Sequence, residues 1–299
     1  MQITGFTFVR NAERLYYPVK ESILSILPLV DKFIVALGNS DDNTEALIRS
    51  INSEKIEIFH RTWDERAFVE GKIFADETNF ALRQCTGDWC FYLQADEVVH
   101  ENDLDTIYRY CYKNLENFTV EGFLLNYYHF WGDYEHYLPF HGWYKREIRI
   151  VRNSPDIVSY KDAQSFRKTN HEKLRVRQIP AYVYHYGWVR PPHLMQIKKK
   201  EQDSMYHGCE EADRMHLGRS VLFNYGNMKK IPVFKGTHPH VMKDFIRKFH
   251  WGERLQNSNQ TLLRPKMKHE KIKYRILSWF ENTFLGGREL FGYRNWKEV

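Results

Sequence analysis

The first hundred residues alternate strand and helix, and that order restricts the fold more than any single motif. Residues 3–9 read as a strand, after which Val19, Ile23, Ile26, Leu27 and Val30 recur at helical spacing. A second apolar strand at 33–37 runs into the acidic turn Ser40-Asp-Asp-Asn-Thr44, where Asp42 to Thr44 cap a helix carrying Ala46, Leu47 and Ile51. A third strand follows at 56–59. Repeated strand–helix–strand order predicts a parallel sheet with right-handed crossovers, hence an α/β domain of the nucleotide-binding type. No GxGxxG or Walker loop occurs, so neither a dinucleotide fingerprint nor a P-loop supplies the phosphate contacts.

The stretch Trp89 to Val98 fits a buried strand and ends on Gln94, Asp96 and Glu97. Open α/β sheets place ligands at the carboxyl ends of their strands, and a carboxylate there is a natural anchor for a divalent cation. A helix over Phe74–Leu82, bearing Asp76, Glu77 and Asn79, feeds this strand. Past His100 a helix to about Leu115 gives way to a β-rich half, with strands at 122–132, 147–152 and 181–185. Beyond about residue 238 the composition turns basic, aromatic and helical: residues 265–299 hold eight Lys/Arg against four Glu, interleaved with Ile276, Leu277, Trp279, Phe280, Phe284 and Leu285. The expected organisation is a main domain over 1–237 and a helical extension over 238–299. The extension is expected to cover the core; the alternative is an amphipathic element lying on an anionic membrane surface.

Composition narrows the partners. Aromatic residues make up 16% of the chain, a surplus that suits sugar- or base-binding clefts as well as packing. A net charge of +6 suits a polyanionic ligand or an acidic membrane surface, and no compact DNA- or RNA-reading motif accompanies it, so nucleic acid is not an expected partner. Cysteines at 85, 90, 111 and 209 make no metal-binding pattern and read as free thiols in a reducing compartment. The longest apolar-rich stretch, Ile23 to Val30, is too short to span a bilayer. The expected location is cytoplasmic, with the inner membrane face as the place of any peripheral contact.

Four segments in order carry a resemblance: Val9-Arg-Asn11, Ser40 to Thr44, Glu77-Thr-Asn79 leading to Gly87-Asp-Trp89, and Gln94-Ala-Asp96-Glu97. Their sequence and spacing resemble the successive signatures of family 2 glycosyltransferases. The resemblance is clear over residues 3 to about 100 and looser to about 200. It implies the GT-A fold, a Rossmann-like α/β sandwich, here with a C-terminal helical extension. It also implies transfer of a sugar from a nucleoside-diphosphate donor to a hydroxyl of a glycan or other acceptor, usually with inversion and with Mn²⁺ or Mg²⁺. The reading is of an inverting enzyme of surface glycan synthesis. Its rivals are a sugar-phosphate nucleotidyltransferase, although Val9 to Leu15 holds no glycine for a triphosphate loop, and a non-catalytic carbohydrate-binding relative.

Matching residue by residue, the resemblance implies donor contacts from Val9, Arg10, Asn11, Asp42, Asn79, Gln94, Arg190 and Lys198, with Asp96 and His185 as metal ligands. The family's paired carboxylates are here Gln94 and Asp96, so one ligand is lost and Gln94 can only hydrogen-bond. The family's base-reading aspartate at the end of the second strand is replaced by Leu37. An inverting transfer needs a general base within hydrogen-bond reach of the acceptor hydroxyl. Asp162 is the first candidate and Glu172 the second. Trp131, Trp143 and Trp188 are the expected acceptor platform. For Asn11, Asp42 and Asn79, turn formation and helix capping are rival roles.

Overall fold

A computed structural model describes residues 1–256, 264–286, 289, 290, 292 and 294–299, with Ala67 and Gln256 described by backbone alone. The first half contains β1 (Ile3–Val9), α1 (Val19–Ile26), β2 (Lys32–Gly38), α2 (Thr44–Arg49), β3 (Ile56–Arg61), α3 (Lys72–Gln84) and β4 (Trp89–Tyr92). Strand β1 pairs in parallel with β2 on one side and β4 on the other, and β3 lies outside β2. Growth of the sheet therefore reverses at β1. A reversal of this kind leaves a crevice beyond the carboxyl ends of the two strands flanking it.

The run read as one strand from Trp89 to Val98 is two, because the chain turns at Gln94–Asp96 and leaves in another direction as β5 (Glu97–Val99). After α4 (Leu104–Lys113) come β6 (Gly122–Trp131), β7 (Arg146–Arg152), β8 (Ile157–Tyr160), β9 (Ser165–Lys168) and β10 (Leu174–Trp188). Strand β7 runs antiparallel between β4 and β6, β10 lies parallel to β6, and β5 pairs antiparallel with β10. β8 and β9 form a separate hairpin. The sheet is thus mostly parallel, but with an antiparallel strand at its middle that local sequence does not announce.

Side chains of the central strands alternate between two apolar layers. Ile3, Phe33, Val35, Trp89 and Phe91 meet α1 and Ile107 of α4 on one face. Phe6, Ile34, Ala36, Cys90 and Tyr92 meet Ala81 and Leu82 of α3 on the other. Burial on both faces explains why these strands read as continuous apolar runs. A third core is aromatic: Phe130, Trp131, Tyr134, Tyr184, Tyr186, Phe223, Tyr225 and Trp251 pack together, absorbing much of the aromatic surplus.

After β10 come α5 (Pro192–His207), α6 (Cys209–His216), α7 (Lys243–Arg247) and α8 (Gly252–Gln256). The chain ends with α9 (Ile272–Phe284) and β11 (Trp296–Glu298), which joins the edge of β10 in parallel. Met242, Phe245, Trp251 and Leu255 share the aromatic core with Phe130 and Tyr184, so the segment after 238 is built into the same body as the strands. The cysteines are free thiols, three buried and Cys209 exposed. No helix among the described residues is long and apolar enough to cross a membrane.

A buried ion pair joins β5 to β7, the two strands that run antiparallel to their neighbours. Arg149 on β7 donates from Nε and Nη2 to the two carboxylate oxygens of Glu97, at 2.9 and 2.8 Å, and both side chains are fully buried. The Tyr127 hydroxyl donates to the same carboxylate at 2.9 Å, and so does the Gln94 backbone N–H at 3.1 Å. Glu97 is therefore a structural anchor for the Gln94–Asp96 turn. Replacing Arg149 with Met leaves a buried carboxylate without its counter-charge; the expected loss is about 3–5 kcal/mol, read from urea unfolding.

Nearby Glu147 is the opposite case. It is 2% exposed, accepts one hydrogen bond from Gln164 Nε2 at 3.0 Å, and its Oε2 has no hydrogen-bond partner. Burial pushes its carboxyl up from 4.5 to about 7. A folded-state pKa above the unfolded value means stability that is complete below the ordinary carboxylate pKa and lost as pH rises through the folded one, here worth about 3 kcal/mol. Glu147→Gln is expected to remove this loss: its melting temperature should exceed wild type at about pH 8 and approach it at about pH 5.

Candidate active site

The crevice at the β1 reversal is a cavity of ≈ 590 Å³. Its floor is the end of β1 (Phe8, Val9, Arg10) and the turn Gln94-Ala-Asp96 after β4. One wall is α5, contributing Lys198, Glu201, Gln202, Met205 and Tyr206. The other is the end of β10 with the 141–144 loop, contributing His185, Trp188, His141, Trp143 and Tyr144. Trp63, Asp162 and Gln164 complete the rim, together with Lys268 and Glu289 from the C-terminal segment.

At its centre Asp96, His185 and Lys198 meet around Gly187. Lys198 Nζ donates to Asp96 Oδ2 at 3.1 Å and to the Gly187 carbonyl at 2.8 Å. His185 Nε2 lies 3.8 Å from Asp96 Oδ1. Burial raises the Asp96 carboxyl, but the charges of Lys198, His185 and Arg190 outweigh it and hold the group at about 2, so it is fully ionised at neutral pH. Burial, assisted by Arg190, pushes the Lys198 ammonium down to about 7 against the pull of Asp96.

His185 is oriented by a residue that the sequence did not suggest. The register of β6 and β10 sets His129 beside it, with the two Nδ1 atoms 3.0 Å apart. His129 Nε2 lies 2.7 Å from the Tyr144 carbonyl, which can only accept, so its proton sits there and its Nδ1 accepts from His185. His185 is thereby left with a bare Nε2 lone pair facing Asp96. Burial lowers both imidazoles, His185 to about 4 and His129 to about 3, so both are neutral near pH 7.

A divalent cation fits this point by its donor chemistry. Asp96 and His185 supply one anionic oxygen and one neutral nitrogen, a mixed set that suits Mn²⁺ better than Ca²⁺. Glycine at 187 keeps this space open: a Cβ there would stand 2.5 Å from His185 Nε2 and 2.7 Å from Asp96 Oδ2, so one of the two would have to move. Among the described residues no group of three or more His, Cys, Asp or Glu is placed to hold a metal ion, so further ligands would have to come from substrate or water. A second-sphere partner that fixes a ligating tautomer is worth ten- to a hundredfold in affinity. His129→Phe is accordingly expected to weaken Mn²⁺ binding, followed by the loss of free-Mn²⁺ signal in electron paramagnetic resonance, by about that factor.

Of the other expected donor residues, Val9, Arg10, Gln94 and Lys198 line the cavity, while Asn11, Asp42 and Asn79 do not. Asn11, at φ 55°, accepts the Asp41 N–H at 2.9 Å and ties the β1 turn to the β2 turn. Asp42, in the turn before α2, accepts the Thr44 N–H at 3.0 Å and the Arg14 N–H at 2.8 Å. Asn79 accepts the Ser159 N–H at 2.7 Å, fastening α3 to β8. Each thus takes up the turn-forming or linking role. Arg190 is fully buried behind the cavity, donating to the Leu15 carbonyl at 2.6 Å, with its guanidinium 4.8 Å from the Tyr17 ring centre. Its charge reaches Asp96, Lys198 and His185 from there.

Asp162 reaches the rim between two residues of positive φ, Lys161 and Ala163, and accepts a hydrogen bond from the Tyr206 hydroxyl. Glu172 is exposed in the turn between β9 and β10 and takes no part in the cavity. Trp143 and Trp188 line it, 5.8 Å apart and edge to face. Trp131 does not: it is fully buried behind them, its indole donating to the Tyr225 carbonyl at 2.9 Å. At the β1 end sequence reasoning missed Trp63, whose ring carries the Arg10 guanidinium 5.6 Å from its centre.

A mostly parallel sheet with a charged cavity at its reversal point is the architecture of a GT-A enzyme. Residues 9–175, more than half the chain, match the family model described as glycosyl transferase family 2. The chain belongs to that family and is a glycosyltransferase. No curated protein matches it. Among solved structures, S. aureus TarS 1–349 in complex with UDP is similar over 74% of this chain and 73% of that one, with 14% identity and a TM-score of 0.41. Glucosyl-3-phosphoglycerate synthase from Mycobacterium tuberculosis, in complex with Mn²⁺, UDP and phosphoglyceric acid, is similar over 43% of each chain, with 19% identity and a TM-score of 0.30.

Proposed function

We propose that the protein is an inverting glycosyltransferase, moving a sugar from a nucleoside-diphosphate donor to a hydroxyl of a surface-glycan precursor. The observation that carries this reading is the Asp96–His185–Lys198 cluster around Gly187, at the carboxyl end of β4 and inside a cavity large enough for a nucleotide sugar. The nucleoside lies against Phe8, Arg10 and Trp63, and the diphosphate at the central cluster. The acceptor sugar lies against Trp143 and Trp188, whose rings suit the C–H face of a pyranose.

In this arrangement the acceptor oxygen attacks the anomeric carbon as the bond from that carbon to the diphosphate oxygen breaks. The acceptor proton passes to Asp162, and the nucleoside diphosphate leaves with the bonding electron pair. Lys198 sits where the leaving charge develops, with Arg190 adding a second positive charge from behind; such fixed cations stabilise the transition state in a site shielded from water. A divalent cation held by Asp96 and His185 would supply further Lewis-acid stabilisation of the same oxygens. Tyr206 holds the Asp162 carboxylate through its hydroxyl, orienting the lone pair that takes the proton.

Two measurements test the reading. In a thermal-shift screen of UDP, GDP, CDP and dTDP with Mn²⁺, Mg²⁺ or EDTA, one nucleotide is expected to raise the melting temperature when metal is present, through binding linkage. Gly187→Ala should abolish that rise, since its methyl fills the space between the two ligands; absence of any shift in the wild type would refute the donor site. Asp162→Asn should lower kcat about 10²- to 10⁴-fold while leaving the nucleotide shift intact. Near-normal turnover in that variant would remove Asp162 as the base, and release of pyrophosphate would mark a nucleotidyltransferase instead.

A further inference from the structure

Helix α9 turns its polar side inward. Ser278 and Glu281 are its buried residues. Ser278 Oγ accepts the His141 backbone N–H at 2.7 Å, and Glu281 Oε1 pairs with His141 Nδ1 at 2.7 Å and accepts the Leu290 N–H at 2.8 Å. Its apolar residues point the other way: Ile272, Ile276, Trp279, Phe280 and Phe284 are 74, 60, 61, 40 and 61% exposed. Helical spacing places them along one side. The rings of Trp279 and Phe280 both rest on Phe284, at centroid distances of 5.7 and 5.1 Å, so the side chains form one patch. A helix made to cover the core would show the reverse distribution.

The charge beside this patch is positive. Lys266, Lys271 and Lys273 are exposed, whereas the two acidic residues of the same stretch face inward, Glu270 to Arg264 at 2.7 Å and Glu281 to His141. We propose that α9 docks the protein on an anionic lipid bilayer, with Trp279, Phe280 and Phe284 entering the interface and Lys266, Lys271 and Lys273 contacting acidic headgroups. A short helix with aromatic and aliphatic side chains on one face and lysines beside them is the chemistry of an interfacial anchor. The other occupant of such a face, a second copy of this chain, is disfavoured by charge, because a two-fold contact would bring like lysines together.

This docking does not depend on the transferase reading, yet it bears on it. The inner edge of α9 holds His141, and His141 and Lys268 line the cavity beside Trp143, so the acceptor wall stands directly behind the docked helix.

The test is sedimentation of the full chain with vesicles of phosphatidylglycerol and phosphatidylcholine, and with vesicles of phosphatidylcholine alone. The expected result is co-sedimentation with the anionic vesicles only, weakened by added salt. It should be lost in Trp279→Glu and lost again in the double variant Lys271→Glu, Lys273→Glu, which leaves the apolar side chains in place. Melting temperature checks the fold of each variant. Absence of binding by the wild type, or binding retained by both variants when folded, overturns the proposal. So does light scattering that shows a dimer in solution which Trp279→Glu dissociates.

Discussion

The cavity depends on the buried pair of Glu97 and Arg149, because that pair fixes the turn on which Asp96 stands. Two acidic residues adjoin where the turn after β4 enters β5, and they are separated by environment. Glu97 is fully enclosed and saturated by a guanidinium, a phenol and a backbone N–H. Its charge is consumed locally. Asp96, one residue earlier, faces the cavity with Lys198 hydrogen-bonded to it and His185 close by. A buried carboxylate is tolerable when its counter-charge and hydrogen bonds are complete, and it then specifies geometry more than it adds stability. Here it couples β5 and β7, the two strands where the sheet departs from simple parallel order.

Cationic charge in the site is arranged in depth. Lys198 lies at the surface of the cavity and Arg190 lies behind it, with Tyr17 beside both. Burial, with the repulsion of Arg190 added to it, is why Lys198 titrates near neutrality and why an anionic ligand is welcome there. The replacement of one family carboxylate by Gln94 acts in the same direction, since it leaves the centre less negative. The paired imidazoles add a neutral nitrogen whose lone pair is aimed without any net charge. His129 and His185 are fifty-six positions apart in sequence but direct partners across β6 and β10.

The order of strands and helices up to residue 100 was legible because each element carries its own periodicity and caps. Asp96, His185, Lys198, Arg10 and Trp143 were legible as candidates because their residue types and order resemble a family pattern. Much else was hidden for identifiable reasons. Trp131 and Trp143 have the same chemistry, and only packing decides that one is core and the other wall. Asn11, Asp42 and Asn79 suit a ligand site and a structural role equally well; in the fold their side chains accept backbone N–H groups, Asn11 and Asp42 within turns and Asn79 between α3 and β8. The long helix α5 passed unread because its apolar positions are few, yet it forms a whole wall of the cavity.

By itself, then, the sequence determined an open α/β sheet, the strand ends at which a site would form, and the acidic and cationic residues available to it. These follow from local periodicity and from residue chemistry, which act over a few positions. Only the tertiary structure decided which of the adjacent acids is structural and which faces the cavity, which histidine sets the tautomer of another, and which way α9 turns its apolar side. Those outcomes depend on strand register and on what lies across a buried contact. Both are set by pairing between segments far apart in the chain, where no local pattern records the partner.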